Sequence, residues 1–207
     1  MALDSDTRAV HAVLLAAGAS RRFGDDNKLL AEIDGVPLVR RMAERLLASR
    51  IAGVIAVTGF EAERVRKALA GLDIHFTDNP NFAEGLASSL RCGVAALPEG
   101  STGAMIVLAD MPGISAALID GLIGAFQQEA CKKIVYPTRQ NGDQGNPVIW
   151  PARFFEDLKK LNGDAGAKSL IGAHDADTHG VPIDDKDSLS DIDRPEDLAD
   201  WRDGKTF

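Results

Sequence analysis

The 207-residue chain holds only two cysteines, Cys92 and Cys131. They form no Cys-x-x-Cys pair and fit no metal-ligand spacing, which excludes a disulfide scaffold and a thiolate metal site. Small buried apolar residues are the ordinary reading of such cysteines. No histidine stands near either to activate a thiolate, and a reducing, cytoplasmic compartment fits. The four histidines (His11, His75, His174, His179) are scattered and read as structural. Long apolar runs are also missing. The longest, Ala12 to Ala19, falls far below the ~20 residues of a membrane span. The first eight residues carry two acids and no apolar signal core, so no secretory leader is expected. Basic residues are in deficit, 23 against 31 acidic, for a net charge of −8 and a pI near 5.0. That balance argues against a protein tracking a nucleic-acid backbone. Neither nucleic acid nor membrane is expected as a partner. A small anion stays open, because a local basic loop can hold it against the overall sign.

What is present is ordinary globular material, 45% hydrophobic and 26% charged. A chain of this length hides roughly 70% of its unfolded surface. Short β-like runs alternate with helical patterns. His11–Ala16, Val54–Thr58 and Met105–Ala109 are continuous apolar runs, as in strands buried on both faces. Further strands are expected at 73–76, 134–137, 147–150 and 180–183. Helices are expected at 37–49, 61–70, 85–97, 115–129, 152–161, 165–174 and 195–201. Pro37 and Pro195 open two of these, and Ser115 caps a third. The alternation predicts a mostly parallel α/β sheet with helices on both faces, Rossmann-like, in a single domain over residues 10–202 after a short tail at 1–9.

Ligands in open α/β sheets sit at the carboxyl ends of the strands. Three constellations fall there. After the first strand comes Leu15-Ala16-Ala17-Gly18-Ala19-Ser20-Arg21-Arg22-Phe23-Gly24-Asp25-Asp26-Asn27-Lys28. Its small residues let backbone N–H groups approach phosphate oxygens, and Arg22 and Lys28 add full positive charges. It is neither a Walker A loop, since Phe23 stands where a glycine is required, nor Gly-x-Gly-x-x-Gly. An ordinary βα turn with solvated charges is the plain alternative. The second is Val107-Leu108-Ala109-Asp110-Met111-Pro112, which places a carboxylate at the sheet edge. Asp110 is expected to be exposed there and able to take Mg²⁺, a hard cation needing few protein oxygens; a turn aspartate is the alternative. The third is Asp191-Ile192-Asp193-Arg194-Pro195. Its acids either cap the last helix or supply a second metal ligand, if the segment folds back over Asp110.

Leu-Ala-Ala-Gly-x-Ser-x-Arg-x-Gly-x-x-x-Lys-Leu-Leu resembles the signature loop of nucleotidyltransferases with a glycosyltransferase-A-like fold. Gly85-Leu-Ala-Ser-Ser-Leu-Arg-Cys-Gly-Val94, Leu108–Pro112, Gly145-Asn-Pro-Val-Ile149, Gly163-Asp-Ala-Gly-Ala-Lys168 and Asp191–Leu198 follow in family order. Together they resemble the MobA-like group, most of all the molybdenum cofactor cytidylyltransferases. The resemblance implies that Ala16, Ala17, Gly18, Ser20, Arg22, Gly24, Lys28, Ser89 and Asp110 bind the nucleotide. It gives Arg22, Lys28 and Asp110 catalytic roles, and makes Asp110, with Asp193, the holders of Mg²⁺. Arg194 and Phe23 depart from residues common in relatives, where Thr and Met are frequent. Ala17, where guanylyl-transferring relatives tend to carry Gly, favours CTP. The implied reaction is attack of an acceptor phosphate on the α-phosphorus of CTP with loss of pyrophosphate. The nucleophile is already ionised, so no general base is needed.

Asn146 and Lys168 are the implied contacts for a phosphorylated pterin-type acceptor, with Asp164 an N-cap or a contact. A molybdoenzyme is a candidate partner. Three rival readings stand beside this one. The first is nucleotidyl transfer to an isoprenoid or sugar phosphate. The second is an NADPH-dependent oxidoreductase of the nicotine blue type on the same scaffold. The third is a non-catalytic carrier delivering cofactor to a molybdoenzyme.

Overall fold

The first apolar run forms β1 (Val10–Ala16), and its lack of polar alternation follows from its place in mid-sheet, covered on both sides. The computed structural model describes residues 9–19, 22–24, 26–139, 141–163, 167–183 and 189–204. The expected tail therefore lies, except for residue 9, outside the described residues. After β1 comes a small hairpin, β2 (Glu32–Ile33) and β3 (Val36–Pro37), turned by Asp34 and Gly35 with φ of 54° and 74°. Two-residue strands are too short for periodicity to reveal, and the sequence reading missed them. Then follow α1 (Leu38–Leu47), β4 (Gly53–Thr58), α2 (Ala62–Ala68), β5 (His75–Asp78), α3 (Leu86–Ala95), β6 (Gly103–Leu108) and α4 (Ala116–Gln128). The remaining elements are β7 (Ile134–Thr138), β8 (Val148–Pro151), α5 (Phe155–Leu158), α6 (Lys168–Ala173), β9 (Thr178–Pro182) and α7 (Pro195–Arg202).

The main sheet has the order β5-β4-β1-β6-β8-β7-β9. Only β8 runs against its neighbours; β1 pairs in parallel with β4 and β6, and β7 with β9. The expected mostly parallel sheet is therefore correct. One strand was misplaced: the expected 73–76 lies at 75–78, after Gly71 (φ 82°) and a tight turn closed by Ile74 N–H on Leu72 C=O. The helix expected over 152–161 is a 3-10 turn, Ala152–Phe154, running into the single-turn α5. Ser115 does cap α4, its hydroxyl accepting from Leu118 N–H at 3.1 Å.

Alternate residues of each strand feed two cores. On one face Leu14, Ala56, Met105 and Val107 pack under α1, α2 and α4 through Leu46, Val65 and Leu122. On the other, Val13, Leu15, Val57, Ile106 and Trp150 meet Leu90 and Val94 of α3, with Leu158 and Ile171. Helix α3 lies so close to the sheet that a methyl at Gly93 would run into Val13 Cγ1 and come within 2.9 Å of Val57 Cγ2. A third, smaller core joins Ile33 of the hairpin and Leu38 to Ile192 and Leu198, so α7 docks on the hairpin rather than on the sheet. The Arg202 guanidinium donating to Glu32 C=O ties its far end. The segment entering α7 is thereby laid across the end of β6, where Ile192 N–H donates to Asp110 C=O at 2.9 Å.

Candidate active site

The strand ends that converge on β1 form a cleft of about 500 Å³. Ala17, Gly18 and Ala19 line it from the loop after β1, Ala109 and Asp110 from the end of β6, and Phe82, Gly85 and Ser89 from the turn into α3. Lys28 enters on a 3-10 turn (Lys28–Leu30) whose start is fixed by Asn27, its Oδ1 accepting from Leu29 N–H at 3.1 Å. Burial of Leu29 anchors that turn, so Lys28 is aimed rather than solvated.

The Lys28 ammonium lies 2.6 Å from Asp110 Oδ2 and 3.0 Å from Asp193 Oδ1. Arg22 Nη1 stands 3.0 Å from Asp193 Oδ2. Burial is the largest single influence on Lys28 and opposes its charge. The two carboxylates together outweigh it, and its pKa lies above the ordinary lysine value. Asp110 is pushed up, first by burial; Lys28 opposes this, and the negative charge of Asp191 reinforces it. Asp193 is held below the usual carboxylate range, first by the hydrogen bond from Lys28 and further by Arg22. Asp110 was expected to be exposed, and that expectation is overturned. Its side chain is only 14% exposed, because the α7 entry segment covers it. Nor does Asp193 cap α7. That task falls to Asp197, whose Oδ2 accepts from Asp193 N–H and Arg194 N–H, leaving the Asp193 carboxylate for the cleft.

Among the described residues no group of three or more His, Cys, Asp or Glu side chains is arranged to hold a metal ion. Two carboxylates, however, converge on the cleft. Asp110 Oδ1 is buried with no hydrogen-bond partner, a hard anionic oxygen left open. That donor set fits a divalent cation that completes its shell with ligand phosphates and water.

Of the other expected nucleotide contacts, Ala17, Gly18 and Ser89 line the cleft. Ala16 is buried in the core at the end of β1, and Gly24 (φ 95°) lies in the loop outside the cleft lining, so the structure places neither on the cleft wall. Ser20 lies outside the described residues, as does Asp164. Asn146 and Lys168 line a second pocket of about 200 Å³, which shares Leu15, Leu86 and Leu108 with the cleft and so opens beside it. Its floor includes Ile106, Val148 and Trp150. A side chain at Gly145 would meet Leu189 Cδ1 at 2.8 Å, which accounts for the glycine in that turn. The histidines stay apart from both pockets: His11 bonds Ser101, His179 bonds Glu129 and His174 packs on Phe154. Sequence reasoning missed Asn79, a buried amide that donates to Ser88 and Ser89. No local pattern announces it, because partners nine and ten residues away meet only through the turn between β5 and α3.

Residues 12–178 match the model of the MobA-like NTP transferase domain. The chain is 32% identical over 159 residues to the molybdenum cofactor guanylyltransferase of Bradyrhizobium sp. (strain ORS 278), covering 75% of this chain and 72% of that protein. It is 29% identical over 173 residues to the nicotine blue oxidoreductase of Paenarthrobacter nicotinovorans, covering 81% and 84%. Among solved structures, a Mycobacterium tuberculosis H37Rv protein in complex with manganese superposes with a TM-score of 0.77 at 22% identity, over 94% of this chain and 98% of that one. That likeness speaks to the fold.

Proposed function

Because the chain belongs to the MobA-like NTP transferase family, we propose that it transfers a nucleotidyl group, CMP from CTP, to the phosphate of a molybdopterin-type acceptor with release of pyrophosphate. One observation carries the reading: Lys28 is held between Asp110 and Asp193 at the rim of a cleft walled by the small-residue loop. A desolvated ammonium beside two carboxylates is the arrangement that triphosphate binding needs, because the cation screens phosphate charge while the carboxylates hold a divalent ion. Asp110 and Asp193 would hold a divalent ion, which would supply neutralisation of phosphate charge. Gly18 and Ala19 let backbone approach the phosphates; Arg22, exposed, outside the cleft lining and paired with Asp193, adds a second positive charge. Asn146 and Lys168 in the adjoining pocket orient the acceptor, Lys168 offering a cation to its phosphate. The catalytic unit is residues 10–202.

The base is the finer point. The Bradyrhizobium relative and several others carry guanylyltransferase names. The choice of CTP rests on Ala17. Its methyl faces Gly59, where an added Cβ would lie 2.9 Å from it and 2.8 Å from Phe82 Cβ. Ala17 also lines the cleft, and a methyl in that turn limits how closely a purine approaches the backbone, which suits a pyrimidine better. The test is pyrophosphate release with CTP, GTP and ATP against a molybdopterin-type acceptor. Release with none of the three ends the reading; release with GTP alone ends only the cytidylyl part. The similarity to an oxidoreductase motivates one more arm, in which stabilisation by NADPH and none by CTP or GTP in a thermal-shift titration moves the chain to redox chemistry.

A further inference from the structure

We propose that Asn79 is a specificity-positioning residue. It fixes the direction of the Ser89 hydroxyl, so that the cleft demands a hydrogen-bond acceptor on the nucleobase edge. The proposal rests on the reading of the cleft as a nucleotide site. Its observations are separate from the charged cluster. Asn79 is 3% exposed and Ser89 5%. Asn79 Oδ1 accepts from Asn81 N–H at 3.0 Å, which identifies the other side-chain atom as the amide nitrogen. That nitrogen donates both its protons, to Ser88 Oγ at 2.8 Å and Ser89 Oγ at 3.0 Å. Ser88 passes its own proton to Gly85 C=O at 2.8 Å. Ser89 Oγ, already an acceptor, retains a proton with no acceptor among the described residues, and Ser89 lines the cleft. Within this side-chain network every other donor and acceptor is spoken for, so what the network leaves at the cleft wall is the Ser89 hydroxyl proton. The network presents one O–H donor, suited to a carbonyl oxygen or an unprotonated ring nitrogen.

Reversing the amide tests this. In Asn79→Asp the residue keeps its shape and still accepts from Asn81 N–H, but its second oxygen now draws the Ser89 proton, turning an oxygen lone pair toward the base. A buried acceptor facing an acceptor is left unpaired on both sides. The measurement is calorimetric binding of CTP, GTP and inorganic tripolyphosphate to the full chain. The variants are Asn79→Asp, Ser89→Ala, their double, and Ser88→Ala. Asn79→Asp is expected to weaken the better-bound nucleotide about tenfold or more and to leave tripolyphosphate unchanged. The double is expected to bind no more weakly than Ser89→Ala, and Ser88→Ala to match the wild type. If Asn79→Asp does not fold, Asn79→Ser removes the amide donor without adding charge and must show the same nucleotide-only loss. Equal losses of nucleotide and tripolyphosphate, no loss at all, or a further loss on top of Ser89→Ala each overturn the proposal. A wild type that binds tripolyphosphate but neither nucleotide overturns it while sparing the phosphate site; one that binds none of the three removes the nucleotide reading as well.

Discussion

Replacing Lys28 by Met removes the ammonium shared by Asp110 and Asp193 while keeping the length of the chain that buries it. Asp110 then stands almost buried with no cation, its Oδ1 already without a partner. Breaking a buried pair by deleting one member costs about 3–5 kcal/mol, and roughly 3 kcal/mol is expected here because Asp193 keeps Arg22. In a chain of this size that is a fall in Tm of roughly 6–12 °C. The pH dependence has a definite sign. Burial already raises the Asp110 pKa above its unfolded value, so the folded state binds the proton more tightly and loses stability as pH rises through that interval. Losing Lys28 widens the interval. The deficit of Lys28→Met against the wild type should therefore be small near pH 4 and grow toward pH 8. At the alkaline end it should narrow, since Lys28, with its raised pKa, contributes stability to the wild type only until its proton is lost. The assay is urea unfolding of the EDTA-treated protein across this range. Because the damage is an unpaired carboxylate, adding Asp110→Asn should recover most of the loss, a coupling the double-mutant cycle reads directly. A deficit that is the same at pH 4.5 and 7.5, or one that Asp110→Asn does not relieve, refutes the electrostatic account.

Asp110→Asn alone should reduce divalent-ion-dependent pyrophosphate release by about 10²-fold or more, yet leave Tm nearly unchanged, since it removes a desolvated charge and leaves Lys28 paired with Asp193; a normal rate removes Asp110 from the chemistry. Arg22→Ala, at an exposed side chain, should lower turnover by about tenfold or more with no change in unfolding free energy; an unaltered rate at saturating substrate makes it a solvated loop charge. Ala17→Gly should narrow a CTP-over-GTP preference of about 10–200-fold, the span that one methyl's steric conflict provides, as read by kcat/KM with both nucleotides in one tube. Gly93→Ala should destabilise by about 1–3 kcal/mol through overpacking against Val13 and Val57; a wild-type urea midpoint would mean that α3 can lift from the sheet freely.

Much of the fold was legible because its signals are local. Continuous apolar runs at Val10–Ala16 and Gly103–Leu108 identify doubly covered strands, and Ser115 and Pro195 mark helix starts through backbone chemistry within four residues. The loop after β1 pointed to a function class through its resemblance to the signature loop of the family. What the chain could not disclose locally is the meeting of distant parts. Asp193 was ambiguous between cap and ligand, since both need only a carboxylate before a helix. The structure excludes the cap, and the docking of α7 on the hairpin through Ile192 and Leu198 carries Asp193 to within 3.0 Å of Lys28. The same docking buries Asp110, whose environment no reading of neighbours in sequence could supply. Asn79 passed unnoticed for a like reason: an asparagine in a turn is commonplace, and only the packing of α3 against the end of β5 makes it the donor that orients Ser89. Local sequence thus determined which segments become strands and helices and where the small-residue loop between them falls. Long-range packing decided which charges share low-dielectric space, because Lys28, Asp110 and Asp193 come from segments far apart in the chain.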